Sequence, residues 1–113
     1  MTVKIYHNPR CRKSREALQW LYDRDITPEI VEYLKTPPTQ DEFIEIINGL
    51  SAPANTLIRG KEAMDMNITP ENLGETEVLE LLCAHPEIME RPVVTTEKGS
   101  RIGRPADTIM DIL

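Results

Sequence analysis

The stretch Thr2-Val3-Lys4-Ile5-Tyr6-His7-Asn8-Pro9-Arg10-Cys11, with the run from Arg12 to Arg24 and then Glu29 to Leu34, decides the fold. Thr2 to Tyr6 alternates as a strand does, with Val3 and Ile5 on one face. Asn8-Pro9 breaks it. Beyond the break, Ala17, Leu18, Leu21 and Tyr22 recur at helical spacing and predict one buried stripe. Thr27-Pro28 ends that helix, and Ile30, Val31, Tyr33 and Leu34 mark a second strand. Strand, helix, strand in that order implies a parallel pair joined by a crossover.

Further along, Thr36-Pro37-Pro38-Thr39 is punctuation. Thr39 and Glu42 have the spacing of a capping box and open a helix that buries Phe43, Ile46, Ile47 and Leu50. Pro53, Gly60, Pro70 and Gly74 fragment the next stretch into short turns. Residues 75–84 predict a helix with Val78, Leu81 and Leu82 inward, stopped at His85-Pro86. Pro92 to Thr95 is a third strand, residues 97–100 a turn with Gly99 suited to positive φ, and 101–103 a short return strand. Pro105 is expected at the first position of a final helix with Ile109, Met110 and Leu113 on its apolar face. The chain is therefore read as one α/β domain, residues 1–113. Its mixed four-stranded sheet carries a helical insertion at about 39–86, after the second strand. That is the layout of a thioredoxin-like fold.

Composition narrows the partners. The net charge of −6 argues against nucleic acid and anionic membranes as ligands, and no apolar run approaches the length of a membrane span. The first residues do not read as a secretory signal. The two cysteines form no CxxC and no metal pattern, so reduced thiols in a cytoplasmic protein are expected, with no bound metal.

Within this acidic chain, four of the thirteen basic residues, Arg10, Arg12, Lys13 and Arg15, surround Cys11. Cys11 also precedes a helix, whose free N–H groups and dipole favour negative charge. Both influences favour the thiolate, which is the nucleophilic form. Ser14, one turn on, is positioned to donate its hydroxyl to the sulfur. Arg59, Arg91 and Arg104 are candidates to converge on the same place, since guanidinium forks suit a tetrahedral oxyanion. In a thioredoxin-like layout the loop before the third strand lies beside the cysteine loop, which makes Arg91 a neighbour of Cys11 and Pro92 a candidate cis-proline.

The segments Ile5-Tyr6-His7-Asn8-Pro9-Arg10-Cys11, Tyr33-Leu34-Lys35-Thr36-Pro37-Pro38-Thr39, Leu57-Ile58-Arg59, His85-Pro86, Arg91-Pro92-Val93-Val94 and Arg104-Pro105 together resemble the glutaredoxin-coupled arsenate reductase family. The resemblance runs nearly the whole length, in order and with similar spacing. It implies that Cys11 attacks arsenate while Arg59, Arg91 and Arg104 hold the oxyanion; Arg12 is a further candidate contact by its charge beside Cys11 alone. It also implies that His7 and Ser14 favour the thiolate, to which the neighbouring charge of Arg15 adds. Glutathione would be the co-substrate and glutaredoxin the protein partner, with no bound cofactor and a monomeric chain.

One departure stands out: well-studied members carry Gly-Thr after the cysteine, and this chain carries Arg12-Lys13. The added charge and bulk could strengthen anion attraction, obstruct access, or mark another substrate. The alternatives are a glutathione-dependent thiol-disulfide reductase and an RNA-polymerase-binding regulator of the Spx type. Those regulators typically carry CxxC, whereas the second position here is Ser14. Cys83, on a helix without nearby cations, reads as a buried, inert thiol.

Overall fold

The short alternating segment at the start of the chain forms the first sheet strand, β1 (Lys4–Tyr6), in a computed structural model that describes residues 2–113. Helix α1 (Arg12–Tyr22) leads to β2 (Glu29–Val31), which pairs parallel to β1 with Ile5 opposite Ile30. Asp25, at φ 58°, reverses the chain after α1. Asp tolerates this left-handed conformation better than most residues because its short polar side chain bonds locally.

The insertion that follows comprises α2 (Gln40–Gly49), α3 (Gly60–Asp65) and α4 (Glu75–Ala84), with 3-10 turns at Ala54–Leu57, Pro70–Asn72 and Pro86–Ile88. The Thr39–Glu42 capping box is formed: Glu42 N–H donates to the Thr39 hydroxyl (3.2 Å) and Thr39 N–H to the Glu42 carboxylate (2.9 Å). The hairpin β3 (Val93–Thr96) and β4 (Gly99–Ile102) completes a mixed sheet of order β2-β1-β3-β4, with β3 antiparallel to both β1 and β4.

Strand alternation divides the apolar residues between two faces. Val3, Ile5 and Val94 join Ala17 and Leu21 of α1 with Ile109 and Ile112 on one face. Tyr6 and Val93 join Tyr33, Phe43, Ile46, Leu57, Val78, Leu82, Ile88 and Met89 beneath the insertion on the other. Phe43 is fully buried there, and truncating it to Ala is worth about 3–5 kcal/mol at such a site.

Four local expectations are corrected. Residues 106–112 form a 3-10 helix rather than an α-helix, and Pro105 precedes it instead of occupying its first position. At three residues per turn, Ala106, Ile109 and Ile112 share the inward face, while Met110 is exposed. Ile30 and Leu34 are exposed because β2 ends at Val31 and lies at the sheet edge. Tyr22, in the last turn of α1, is likewise exposed. Cys83 is exposed rather than buried.

Candidate active site

Three pieces of backbone pairing assemble the site from distant sequence. Tyr6 lies opposite Val93, so the loop leaving β1 emerges beside the loop entering β3. Residues 57–59 are tied to the segment before Arg91: Ile58 bridges Met89, Arg59 N–H donates to Ile88 O (2.8 Å), and Glu90 N–H donates to Leu57 O (2.6 Å). Gly103 N–H donates to Pro92 O (2.9 Å), which brings Arg104 to the same end. The Arg91–Pro92 bond is cis, as is Arg104–Pro105.

Cys11 is the N-cap residue of α1, in extended backbone with φ −93° and ψ 121°. Its own N–H donates to Asn8 O (3.0 Å), and Arg10 N–H donates to Asn8 Oδ1 (3.0 Å), so the turn before the helix is pinned. Partial burial pushes the Cys11 thiol up. The backbone N–H groups of Ser14 and Lys13 and the Arg91 guanidinium outweigh that effect and hold it below the ordinary thiol value. Cys11 thus occupies the N-cap position with its thiol near the first-turn N–H groups, while its side chain makes no capping hydrogen bond.

The hydroxyl of Ser14 is engaged elsewhere. Ser14 is fully buried, its Oγ accepting from Asn8 N–H (3.1 Å) and lying 2.6 Å from His7 Nδ1. Burial, aided by Arg15, lowers the His7 pKa against the opposing influence of Glu32. A neutral His7 accepting the Ser14 proton at Nδ1 satisfies both groups. The Ser14 side chain is therefore turned to the loop rather than to the sulfur. Arg15 Nη1 donates to Pro9 O (2.9 Å) and braces the same turn.

Among the arginines, Arg91 is the most enclosed, its side chain 14% exposed. Arg59 pairs with Glu62 (2.5 Å), and that same carboxylate lies 4.0 Å from Arg91. Arg104 Nη1 donates to Arg91 O (3.4 Å) and lies 3.5 Å from Glu90. Arg12 is not part of this group: its side chain is 83% exposed and pairs with Glu16 (3.0 Å), as does Lys13 (3.6 Å). Glu62 and Tyr33 are the site residues that the sequence reading missed. Tyr33 lies not in a strand but in the turn after β2, fully buried and close to Arg91, Cys11, Arg59 and Glu62. The i,i+3 spacing of Arg59 and Glu62 is the signal that points to Glu62.

A cleft of about 240 Å³ lined by His7, Pro9, Arg10, Glu32, Leu34 and Lys35 opens on the outer side of the cysteine loop. A larger hollow, about 510 Å³, lies on the insertion among Ile47, Leu50, Pro53 and Leu73, and its walls hold no cysteine, histidine or arginine. Among the described residues no cluster of three or more His, Cys, Asp or Glu is arranged to hold a metal. No helix of the described residues is long and apolar enough to cross a membrane.

The pattern that defines the ArsC family matches residues 6–112. A Neisseria meningitidis protein named arsenate reductase is 39% identical over 98% of this chain and 97% of its own length. The uncharacterized Escherichia coli protein YfgD is also 39% identical, over 98% of this chain and 96% of its own. The solved structure of arsenate reductase from Vibrio cholerae superimposes with a TM-score of 0.85 at 31% identity, covering 100% of this chain and 98% of that one. Sequence and architecture together make this chain a member of the ArsC family, on a thioredoxin-like fold.

Proposed function

We propose that the protein is an arsenate reductase whose nucleophile is Cys11, with glutathione and glutaredoxin supplying the electrons. The observation that carries the reading is the placement of Cys11 at the N-terminus of α1, where Arg91 and the N–H groups of Ser14 and Lys13 favour its thiolate. Arsenate, a tetrahedral oxyanion, suits the neighbouring Arg59, Arg91 and Arg104. Relatives named arsenate reductase over nearly the same length support that substrate.

In the proposed cycle the Cys11 thiolate attacks As(V), forming an S–As bond as one arsenic–oxygen bond breaks and the oxygen leaves as water after protonation. A glutathione thiolate then attacks the Cys11 sulfur. An S–S bond forms, the S–As bond breaks, and its electron pair remains on arsenic, taking As(V) to arsenite. A glutaredoxin thiol reduces the resulting mixed disulfide and returns Cys11 as thiolate. External thiols are required because Ser14 stands where a resolving cysteine would serve. The cleft beside Pro9 and Leu34 supports an approach for glutathione on the outer face of the loop. The reading includes a cytoplasmic, monomeric, single-domain protein that binds neither metal nor organic cofactor.

The test is arsenate-dependent NADPH oxidation in the presence of glutathione, glutaredoxin and glutathione reductase. Turnover by the intact protein and none by Cys11→Ser is the expected result. No turnover by the intact protein rejects arsenate, and turnover by the variant rejects the nucleophile. Glutathionylation of Cys11 without arsenate turnover would move the assignment to a glutathione-dependent thiol reductase.

A further inference from the structure

Three buried polar atoms at the arginine cluster have no hydrogen-bond partner among the described residues: Arg91 Nε, the Tyr33 hydroxyl and Glu62 Oε2. Two are donors and one is an acceptor. Buried polar atoms are ordinarily paired, and an unpaired one calls for an explanation, among them a catalytic role or a bound ion. Arg59 and Arg91 both lie on the other oxygen of the same carboxylate, Oε1, which fixes Glu62 beside the guanidinium groups that would hold the substrate.

A carboxylate is an odd neighbour for an anion site. It opposes binding of a fully deprotonated oxyanion, whose oxygens can only accept. It favours an oxyanion that still carries a hydroxyl, because that hydroxyl donates to the free carboxylate oxygen. Arsenate and phosphate keep at least one such proton at neutral pH, and sulfate keeps none.

We infer that Glu62 is a specificity-determining residue whose Oε2 accepts a hydrogen bond from a hydroxyl of the bound oxyanion, while the Tyr33 hydroxyl and Arg91 Nε donate to its bare oxygens. The pocket therefore selects a protonated tetrahedral oxyanion over sulfate. This rests on the oxyanion pocket of the proposed function and adds a discriminating group to it.

The test uses inorganic phosphate and sulfate as probes at pH 7, with binding read from NMR shifts of the amides of residues 8–14 on titration of the intact protein. Phosphate is expected to bind at least about tenfold more tightly than sulfate, as the penalty for leaving a buried polar group unpaired implies. Glu62→Gln, whose amide can donate to sulfate, is expected to raise sulfate affinity and bring the ratio close to one. Tyr33→Phe is expected to weaken both anions several-fold and leave the ratio intact.

Equal binding of the two anions by the intact protein overturns the inference without need of a variant, as does failure of both to bind. A ratio unchanged in Glu62→Gln overturns it too, and unchanged affinities in Tyr33→Phe remove Tyr33 from the site. The two readings fail separately. Arsenate turnover without discrimination sinks the role of Glu62 alone, whereas discrimination without turnover sinks the assigned reaction alone.

Discussion

Ser14 and His7 show how a side chain two bonds from the chemistry shapes it. Removing the Ser14 hydroxyl leaves His7 Nδ1 and the Asn8 N–H without partners inside the protein. Ser14→Ala is expected to destabilise the fold by about 1–3 kcal/mol, measured by urea unfolding. His7 adds a pH dependence whose sign follows from its lowered pKa. The unfolded chain binds the proton at an ordinary value of about 6.5, and the folded protein binds it more weakly. Stability from this source is thus complete above about pH 6.5 and is lost as pH falls from there toward the folded value. Urea midpoints at pH 8, 6 and 5 should show the loss, and His7→Gln should reduce it. Cys11 itself was legible at this scale, since a thiol between a strand and a helix among basic residues has few other readings. The partner of the Ser14 hydroxyl was not, because spacing shows that a group is near without showing which way it turns. Arg12 illustrates the same limit. Its charge beside Cys11 suggested a substrate contact, but i,i+4 pairing with Glu16 turns it to solvent and leaves the loop unobstructed.

Among the elements, α2 carries the clearest local code and the tightest packing. Thr39→Ala removes one capping bond and is expected to cost about 1 kcal/mol in urea unfolding. Gly49, at the other end of the helix, meets β4. A Cβ there would lie 2.5 Å from Ser100 Oγ and 2.9 Å from its backbone nitrogen. Gly49→Ala is therefore expected to cost about 1–3 kcal/mol, through displacement of the hairpin. Gly99, at φ 145°, faces Gly49 across the same gap, 2.8 Å from its carbonyl oxygen to a built Cβ. The capping box was readable because its residues are three apart in sequence. The Gly49 contact joins residues fifty apart and leaves no local mark. The final helix was misjudged for a related reason: a seven-residue segment offers too few turns to separate a period of 3.0 from one of 3.6.

On the scale of the whole molecule, sheet order does the assembling. Placing β3 against β1 sets Arg91 next to the cysteine loop, and the short ties at residues 57–59 and 103 bring Arg59 and Arg104 to the same end. The order of strands and helices was readable from alternation, prolines and glycines, and so was the thioredoxin-like layout. Convergence of three arginines drawn from widely separated segments was not readable from periodicity; it was suggested by their chemistry and by the layout around Arg91, and strengthened by resemblance. Tyr33 and Glu62 show what neither route supplied, since their importance lies in polar atoms that lack partners.

The central claim is that the start of α1 and Arg91 together favour the thiolate of Cys11 over the thiol. Its most direct test is the pH dependence of Cys11 alkylation, read by peptide mass mapping because the second thiol, Cys83, is exposed. The account predicts an apparent pKa below the ordinary thiol value of about 8.5, rising in Arg91→Ala. A value at or above 8.5 in the intact protein, or one indifferent to Arg91, would contradict it.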